Sequence, residues 1–428
     1  MENFDEIRPY EAGEMKQAFE ELINDRQFSL VLKGFAPWLP KAVRNGLLRL
    51  AFTGVKTPLD FQMRFMRPVV NWIIRKHTDG CTFDDNALRN GVATVASDSS
   101  DGQRYTFVSN HRDIVLDSAF LDVLLVKHGH PTTVEIGIGD NLLIYPWIKR
   151  LVRMNKAFTV RRGLTAHEMM RSSELMSRYI HYAVTQKREN IWIAQREGRA
   201  KDSSDHTQDA VLKMLAMGGS TANGSTAGAS PVNGSAAGGF PADSLRELNI
   251  VPLTISYEYD PCDYLKAQEM QQKRDNPSFK KSRQDDLDNM KTGIFGYKGR
   301  VHYHCAAPIN TWIEELAALP RKDFYPALSQ RMDREIHAHY RLYPCNYIAL
   351  DELEGNATPH QEATKATVSK DSTSGSHYTP ADKARFEQYL QGQLAKINIP
   401  NKDEAFLRQC MLTMYANPVR NYEATRNH

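Results

Sequence analysis

Two hydrophobic periodicities alternate along most of the chain, and this alternation predicts the fold. Short apolar runs bounded by Gly, Pro or charged residues predict strands, whereas longer runs with apolar residues three or four apart predict helices. The predicted strands are residues 92–96, 105–109, 132–137, 157–160, 190–194, 250–257 and 299–304. The predicted helices between them are residues 118–127, 145–153, 166–187 and 204–217. Strands that alternate with helices indicate an α/β fold with a central mixed sheet flanked by helices.

Helical additions are predicted before and after the sheet, and two polar segments interrupt the pattern. Residues 218–242 consist mainly of Gly, Ser and Ala and predict a flexible loop, while the polar residues 354–380 predict a linker. The chain therefore divides into three regions. These are an N-terminal helical region (residues 1–85), an α/β domain (86–310) and a C-terminal helical region (311–428), with helices predicted over 311–343 and 382–417.

Charge sets part of the N-terminal region apart. Residues 26–76 hold ten Lys or Arg and one acid, a net of +9, although the whole chain carries only +3. Apolar residues, among them Trp38 and Trp72, are interleaved with these cations over residues 28–76. Such a segment suits the headgroup region of an anionic bilayer, and it equally suits a helical cap with a solvated basic face. The small total charge gives no indication of a nucleic-acid partner.

The cysteines and the apolar runs bear on the compartment. The five cysteines are widely spaced and odd in number, so neither a disulfide framework nor a zinc site is predicted, and a reducing compartment is favoured. The first residues are acidic and lack the layout of a signal peptide. No stretch reaches the roughly 18 apolar residues of a membrane-spanning helix. We therefore expect a protein of the cytoplasm or of a membrane surface.

The run from Asn110 to Asp117 (Asn-His-Arg-Asp-Ile-Val-Leu-Asp) is the first candidate for chemistry. It joins a predicted strand to a predicted helix. His111 at such a turn can act as a general base if a carboxylate orients its ring. Asp117 and Asp113 are both candidates for that carboxylate, and either could instead only cap the helix. Protein kinases also use His-Arg-Asp, but the Asn and the Asp-Phe-Gly that must follow are absent here.

Charged residues also follow two later strands. Ligands bind at the carboxyl ends of strands in open α/β sheets, and the planar guanidinium of Arg suits phosphate. Each cluster taken singly could be a solvated turn. A further predicted strand, residues 250–257, contains a proline, which usually indicates an edge strand or a turn. The second of these clusters runs on from the strand through Gln195 and Arg196 to Lys201. The candidates that the two clusters offer are Arg161, Arg162, Glu197, Gly198, Arg199 and Lys201.

In their order along the chain, these four segments resemble the motifs of the glycerolipid acyltransferase superfamily. That superfamily includes glycerol-3-phosphate and 1-acylglycerol-3-phosphate acyltransferases. The resemblance covers about residues 90–260, and the ordered set is much more specific than any one motif. The matching blocks are the His/Asp turn at His111, Phe-x-x-Arg from Phe158 to Arg161, Glu-Gly-x-Arg at Glu197 to Arg199, and the proline-containing strand 250–257.

Two spacings depart from the family pattern. Five residues, not four, separate His111 from Asp117, so Asp113 remains a rival as the orienting acid. One residue, not two, separates the Glu and the Arg of the third block, so Lys201 remains a rival to Arg199. Both departures indicate a divergent subfamily.

The resemblance implies transfer of a fatty acyl group from acyl-CoA or acyl carrier protein to the hydroxyl of a lysophospholipid or glycerol phosphate, such as 1-acylglycerol-3-phosphate. It implies no cofactor and no metal. His111 would be the general base and Asp117 or Asp113 its partner. It also implies a peripheral protein on the inner face of the membrane, attached through residues 28–76. Two alternatives stay open: a non-catalytic lipid-binding protein with the same fold, and acyl transfer to a different lipid acceptor. The residues implied at the substrate phosphate are Arg161, Arg162, Glu197, Gly198, Arg199 and Lys201.

Overall fold

A seven-stranded sheet lies at the centre of the protein. The computed structural model describes residues 3–35, 37–91, 102–219, 241–355 and 377–426. Across the sheet the strand order is β1-β7-β6-β2-β5-β3-β4. Strands β2 to β6 run parallel to one another, β7 is antiparallel to β6, and β1 is parallel to β7. The predicted α/β fold with a mixed sheet is therefore confirmed. The strands are β1 (Cys81–Asp84), β2 (Thr106–Ser109), β3 (Val134–Gly139), β4 (Ala157–Val160), β5 (Asn190–Ala194), β6 (Ile250–Tyr257) and β7 (Val301–Cys305).

Helices cover this sheet, and further helices precede its first strand and follow its last strand in the chain. Many begin at a side chain that accepts a free backbone N–H, as Thr57, Thr165, Ser282 and Thr379 do. The helices are α1 (Met15–Asn24), α2 (Arg26–Phe35), α3 (Lys41–Phe52), α4 (Pro58–Phe61), α5 (Arg67–His77), α6 (Asn86–Gly91), α7 (Leu116–Lys127), α8 (Pro146–Met154), α9 (Ala166–Thr185), α10 (Asp209–Leu215), α11 (Pro241–Glu247), α12 (Asp263–Asp275), α13 (Arg283–Phe295), α14 (Glu314–Ala317), α15 (Arg321–Ala338), α16 (Pro344–Glu354), α17 (Pro380–Leu394) and α18 (Glu404–Arg426).

Consecutive strand residues enter two different apolar cores, because side chains alternate across a sheet. Phe107 and Trp192 pack with residues of α5 and α7 on one face. Val108 and Ile191 pack with residues of α9, α10 and α15 on the other face. Helices α1, α3 and α4 form a smaller core with α8, and α12, α16, α17 and α18 form another. The sheet is thus covered on both faces.

Several elements differ from the prediction. Strand β1 was not predicted, because it is short and only partly buried at the edge of the sheet. The predicted strand 92–96 lies outside the described residues, as does most of the predicted loop and linker (220–240 and 356–376). Helix α17 begins at Pro380, within the predicted linker. The predicted helix 311–343 is divided into α14 and α15, since Pro320 precedes the second helix.

The proline strand lies in the interior of the sheet, so the edge position that Pro252 indicates is wrong. Strand β6 pairs with β2 on one side and β7 on the other. The pairing with β7 starts at Leu253, and the carbonyl oxygen of Pro252 accepts the N–H of Ala306 at 3.0 Å. Pro252 therefore sits one residue beyond the β7 ladder, where its missing N–H costs no strand hydrogen bond.

Candidate active site

The turn after β2 is fixed by the side chain of Asn110. Its amide nitrogen donates to the carbonyl oxygen of Ile255 at 2.9 Å, and its amide oxygen accepts the Ile255 N–H at 2.8 Å. Asn110 is fully buried, so both bonds replace the ladder that β2 would otherwise continue with β6. The residue that follows, His111, is thereby held at the carboxyl end of the parallel strands.

His111 and Asp117 lie in direct contact. The Nδ1 atom of His111 is 2.8 Å from Oδ2 of Asp117. The same oxygen accepts the backbone N–H groups of Arg112 at 2.7 Å and Asp113 at 3.1 Å. Asp117 is fully buried in the first turn of α7, whereas the His111 side chain is 13% exposed. A carboxylate held in this way fixes the ring orientation and the Nδ1–H tautomer, which leaves Nε2 to take a proton.

Asp113, the rival acid, has a different set of contacts. Its Oδ1 accepts the N–H groups of Val115 and Leu116, both at 2.8 Å, and so caps α7. Its other oxygen faces Gly293 on α13 so closely that a Cβ at this glycine would lie 2.2 Å away. Burial, together with the nearby Asp117 charge, raises the pKa of Asp113. The geometry brings Asp117, and not Asp113, to the imidazole.

A buried ion pair ties this turn to the loop after β5. Arg112 lies 2.6 Å from Asp205, and both side chains are buried. The hydroxyl of Tyr340 donates to Asp205 at 2.6 Å. Because removing one member of a buried pair leaves an uncompensated charge, this contact holds the two loops in one arrangement.

Helix α18 fastens the same loop from outside. The amide of Asn417 donates to the carbonyl oxygen of Asp202 at 2.8 Å, and that of Asn421 to the carbonyl oxygen of Ser204 at 3.0 Å. These are hydrogen bonds to backbone acceptors, so they depend on the path of the loop and not on its side chains. The candidate site is therefore completed by a helix more than 200 residues later in the chain.

Arg162 and Glu197 are brought together across β3. Their side chains form an ion pair, and the backbone N–H of Arg162 donates to Asp140 at 3.1 Å. The Arg162 side chain passes over Gly139, where a Cβ would lie 2.9 Å from the guanidinium Nε. The glycine thus provides the space for this crossing. Arg161, in contrast, is 43% exposed and pairs with Glu6.

The turn at Gly198 directs Arg199 into the protein. Gly198 has a φ of +67°, a left-handed conformation that favours glycine. Arg199 is buried, and its Nη2 donates to the Asn289 side chain on α13 at 2.9 Å. One end of the Arg199 guanidinium therefore faces a protein partner, while its Nη1 has no hydrogen-bond partner among the described residues.

Lys201 also has a protein partner. It forms an ion pair with Glu269 on α12, which Lys273 and Lys281 approach at 2.9 and 2.8 Å. Burial alone would raise the pKa of Glu269, but hydrogen bonds from Lys201 and Lys281 lower it to about 2. Burial in turn lowers the pKa of Lys201 to about 7. Both candidates of the third block, Arg199 and Lys201, therefore contact protein groups in this arrangement.

Four residues of the site have no local sequence signal. Trp192 packs its ring edge-on against His111, with the ring centroids 5.6 Å apart. Asp205, Asn289 and Tyr340 reach the site from loops and helices that are distant in the chain. Within the described residues, no group of three or more His, Cys, Asp or Glu side chains is arranged to hold a metal ion.

An apolar surface lies on the N-terminal helices. Trp38 is 76% exposed and Leu50 is 71% exposed. The cations Lys33 on α2 and Lys41 on α3 are also exposed and form no ion pair with the described residues. None of the helices that the structure describes combines the length and the apolar composition needed to cross a bilayer. The apolar surface consists of Leu30, Val31, Trp38, Val43, Leu47, Leu50, Val69 and Trp72.

Comparison with known proteins identifies one segment of the chain. Residues 86–220 match a protein family described as Acyltransferase. This segment includes His111, Asp117 and the two charged clusters, and it ends before β6. No curated protein matches the chain.

Proposed function

We propose that this chain, whose residues 86–220 match the Acyltransferase family, acts as a member of the glycerolipid acyltransferase superfamily. It would transfer a fatty acyl group to the hydroxyl of a phosphate-bearing glycerolipid such as 1-acylglycerol-3-phosphate. The acyl donor is acyl-CoA or acyl carrier protein. One observation carries the proposal: within the matched segment, the imidazole of His111 is held at 2.8 Å by the buried Asp117. A hydroxyl is a weak nucleophile at neutral pH, so a base at this position supplies what the reaction requires.

The proposed reaction has two steps. Nε2 of His111 removes the proton of the acceptor hydroxyl while its oxygen attacks the thioester carbonyl carbon, which forms the new C–O bond. The tetrahedral intermediate then collapses, the C–S bond breaks, and the imidazolium returns the proton to the leaving thiolate. Asp117 stabilises the imidazolium between the two steps. The acyl group passes directly to the acceptor, so no Cys or Ser nucleophile is required.

The phosphate of the acceptor is proposed to bind among the charged residues at the carboxyl ends of β4 and β5. Arg161 and Arg162 offer partly exposed guanidinium groups there, and Glu197 orients the second of them. Gly198 shapes the turn. Arg199 and Lys201 belong to the same proposal, but their contacts with Asn289 and Glu269 favour a role in holding the loop.

A direct assay tests this function. The purified full chain is incubated with acyl-CoA or acyl carrier protein as donor and with 1-acylglycerol-3-phosphate, and the product is identified by mass spectrometry. We expect a diacylglycerol phosphate, and no such product from a His111→Ala variant with an unchanged melting temperature. Lipid binding without any acyl transfer would instead support a non-catalytic protein, and transfer only to another lipid would support a different acceptor.

We further propose that the protein rests on the inner face of the membrane through the apolar surface of its N-terminal helices. Exposed Trp and Leu side chains beside uncompensated Lys residues suit an anionic bilayer. Arg44 and Arg49 contribute less than the sequence indicates, because Arg44 is buried against Ser29 and Arg49 pairs with Glu20.

Sedimentation with vesicles tests the membrane proposal. Trp38→Ala with Leu50→Ala should reduce binding to vesicles that contain phosphatidylglycerol, and Lys33→Glu with Lys41→Glu should do so in low salt above all. Phe295→Ser is the matched control, because Phe295 is 41% exposed on α13, outside the N-terminal helices. Equal binding by all of these variants would contradict the proposal.

A further inference from the structure

Arg196 lies at the end of the strand next to the one that presents His111. Strands β2 and β5 are paired up to Ser109 and Ala194, and the N–H of Gln195 donates to the Ser109 carbonyl oxygen at 2.8 Å. His111 and Arg196 each follow two residues after that pair. Neighbouring strands are about 4.8 Å apart, so the two residues begin from adjacent positions at this edge of the sheet.

Arg196 differs from the other cations of this edge because none of the described residues partners its side chain. Arg162 and Arg199 also leave one buried nitrogen unbonded, but each is paired through another nitrogen. Its guanidinium Nε is buried and donates to no hydrogen-bond acceptor of the described residues, and the side chain forms no ion pair with them. A buried donor without a partner is costly, and an anionic ligand would remove that cost. The cations that do have partners are Arg112 with Asp205, Arg161 with Glu6, Arg162 with Glu197, Arg199 with Asn289 and Lys201 with Glu269.

The neighbouring Glu197 does not neutralise Arg196. Its carboxylate pairs with Arg162, which reaches it across Gly139. The pair formed by Arg162 and Glu197 carries no net charge. Arg196, which begins from the strand position next to that of His111, therefore supplies an uncompensated positive charge at this edge of the sheet. The left-handed turn at Gly198 then leads the chain away from this edge and takes Arg199 inward.

We propose that Arg196 binds the phosphate of the acceptor in addition to Arg161 and Arg162, and that its uncompensated charge sets the preference for phosphate-bearing acceptors. This inference rests on the proposed function and deepens it, because Arg196 belongs to none of the motifs that indicated the reaction. In a 1-acylglycerol-3-phosphate the free hydroxyl is on the carbon next to the one that bears the phosphate. A phosphate held at Arg196 therefore places that hydroxyl beside His111, and the planar guanidinium donates to two phosphate oxygens at once.

Steady-state kinetics of Arg196 variants test the proposal. Arg196→Ala should raise the KM for 1-acylglycerol-3-phosphate by about 10- to 100-fold, the loss expected for a charge-assisted hydrogen bond. Its KM for the acyl donor should not change. Arg196→Lys should fall between, because it keeps the charge but loses the paired donors. Arg385→Ala is the control, since Arg385 is 67% exposed on α17.

A second acceptor separates phosphate binding from a structural role. Monoacylglycerol with the same acyl chain lacks the phosphate, so Arg196→Ala should not change the rate of acyl transfer to it. The ratio of kcat/KM for 1-acylglycerol-3-phosphate to that for monoacylglycerol should therefore fall. An equal loss with both acceptors, or an unchanged KM for 1-acylglycerol-3-phosphate, would overturn the proposal. Thermal melting shows whether each variant is folded. If Arg196→Ala is not folded, the KM of Arg196→Lys for the two acceptors decides between phosphate binding and a structural role.

Calorimetric titration with glycerol 3-phosphate distinguishes this proposal from the proposed function. If the wild-type chain transfers no acyl group but binds glycerol 3-phosphate, and Arg196→Ala does not bind it, the phosphate site stands and the acyltransferase proposal fails. If acyl transfer occurs and Arg196→Ala behaves as wild type, only the role of Arg196 fails. If the chain neither transfers nor binds, both proposals fail.

Discussion

Two histidine–aspartate groups lie at opposite ends of helix α7. The first is His111 with Asp117, which is in the first turn of the helix. The second is Asp85 with His128 and His130, which directly follow the last turn. The helix has 12 residues and therefore separates the two groups by about 18 Å. The residue types are the same, but the two carboxylates are used differently.

The difference lies in what each carboxylate leaves free. Asp85 accepts from His128 and His130, each at 2.9 Å, and from Arg89 at 3.1 Å. Asp85 thus accepts hydrogen bonds from three side chains, and these bonds connect the end of β1 and the start of α6 to the end of α7. Asp117 serves a single imidazole and is itself held by backbone N–H groups. A histidine next to an aspartate therefore suits a general base where the carboxylate orients a single imidazole, as Asp117 does, rather than joining several side chains, as Asp85 does.

Removing the imidazoles is the sharpest test of this comparison. His111→Ala should lower kcat by about 100- to 10,000-fold, the contribution of a general base. His130→Gln should leave kcat unchanged and lower the melting temperature. Acyl transfer assays and thermal melts of both variants give the result, and an active His111→Ala would show that the two groups do not differ in the way described.

The two acids of the first group should also separate. Asp117→Asn removes the charge that stabilises the imidazolium, and its amide N–H can donate to Nδ1 of His111 and so favour the wrong tautomer. We therefore expect kcat to fall by about 100-fold or more. Asp113→Asn keeps an oxygen that can accept from Val115 and Leu116, so kcat should change much less. The assay is the same. A larger loss for Asp113→Asn would reverse the assignment of the orienting acid.

Asp85→Asn should act on stability alone. The amide cannot accept from two imidazoles and a guanidinium at once, so the unfolding free energy should fall by about 1–3 kcal/mol. Denaturant titration measures this loss, with the acyl transfer rate as the control. A large loss of rate without a loss of stability would contradict a structural role.

Asp85 and Asp113 should give opposite pH dependence of stability. Burial would raise the pKa of Asp85, but hydrogen bonds from His130, His128 and Arg89 lower it. Its contribution is therefore present above the ordinary carboxyl pKa and is lost as the pH falls through the lowered value. Burial and Asp117 raise the pKa of Asp113, so its contribution is present in acid and is lost as the pH rises through the raised value.

Melting temperatures between about pH 3 and pH 7 check these signs. Asp85→Asn should be most destabilising near neutral pH and less so in acid. The melting temperature of Asp113→Asn, relative to that of the wild-type chain, should be highest near neutral pH. Parallel curves for the two variants would show that the environments of the two carboxylates do not differ as the contacts indicate.

Much of the sheet could be predicted because its strands are buried on both faces. The bounds of β4, β5 and β6 agree with the prediction, since these strands are short apolar runs between charged or glycine-containing turns. Helices α12 and α13 were not predicted. Their buried residues are largely polar, such as Lys266 and Gln271, and therefore show no apolar period.

The site could be predicted only in part. The order of the motifs located the His111 turn, but Asp113 and Asp117 are both near the start of α7, and only the three-dimensional turn separates them. The partners of Arg199 and Lys201 come from residues 90 and 68 positions later in the chain. No local pattern reports such contacts, so the inward direction of both side chains could not be predicted.

The contacts from α18 also bear on how the protein is made. Asn417 and Asn421 secure the loop that carries Asp205, and Asp205 in turn secures the turn of His111. A ribosome synthesises α18 some 200 residues after that loop. While the chain is still being made, the segment that matches the family can form its strands. The loop that carries Asp205, however, still lacks its hydrogen bonds from Asn417 and Asn421. Activity should therefore emerge late and abruptly during synthesis, and an isolated copy of the segment would be a scaffold without its catalytic arrangement.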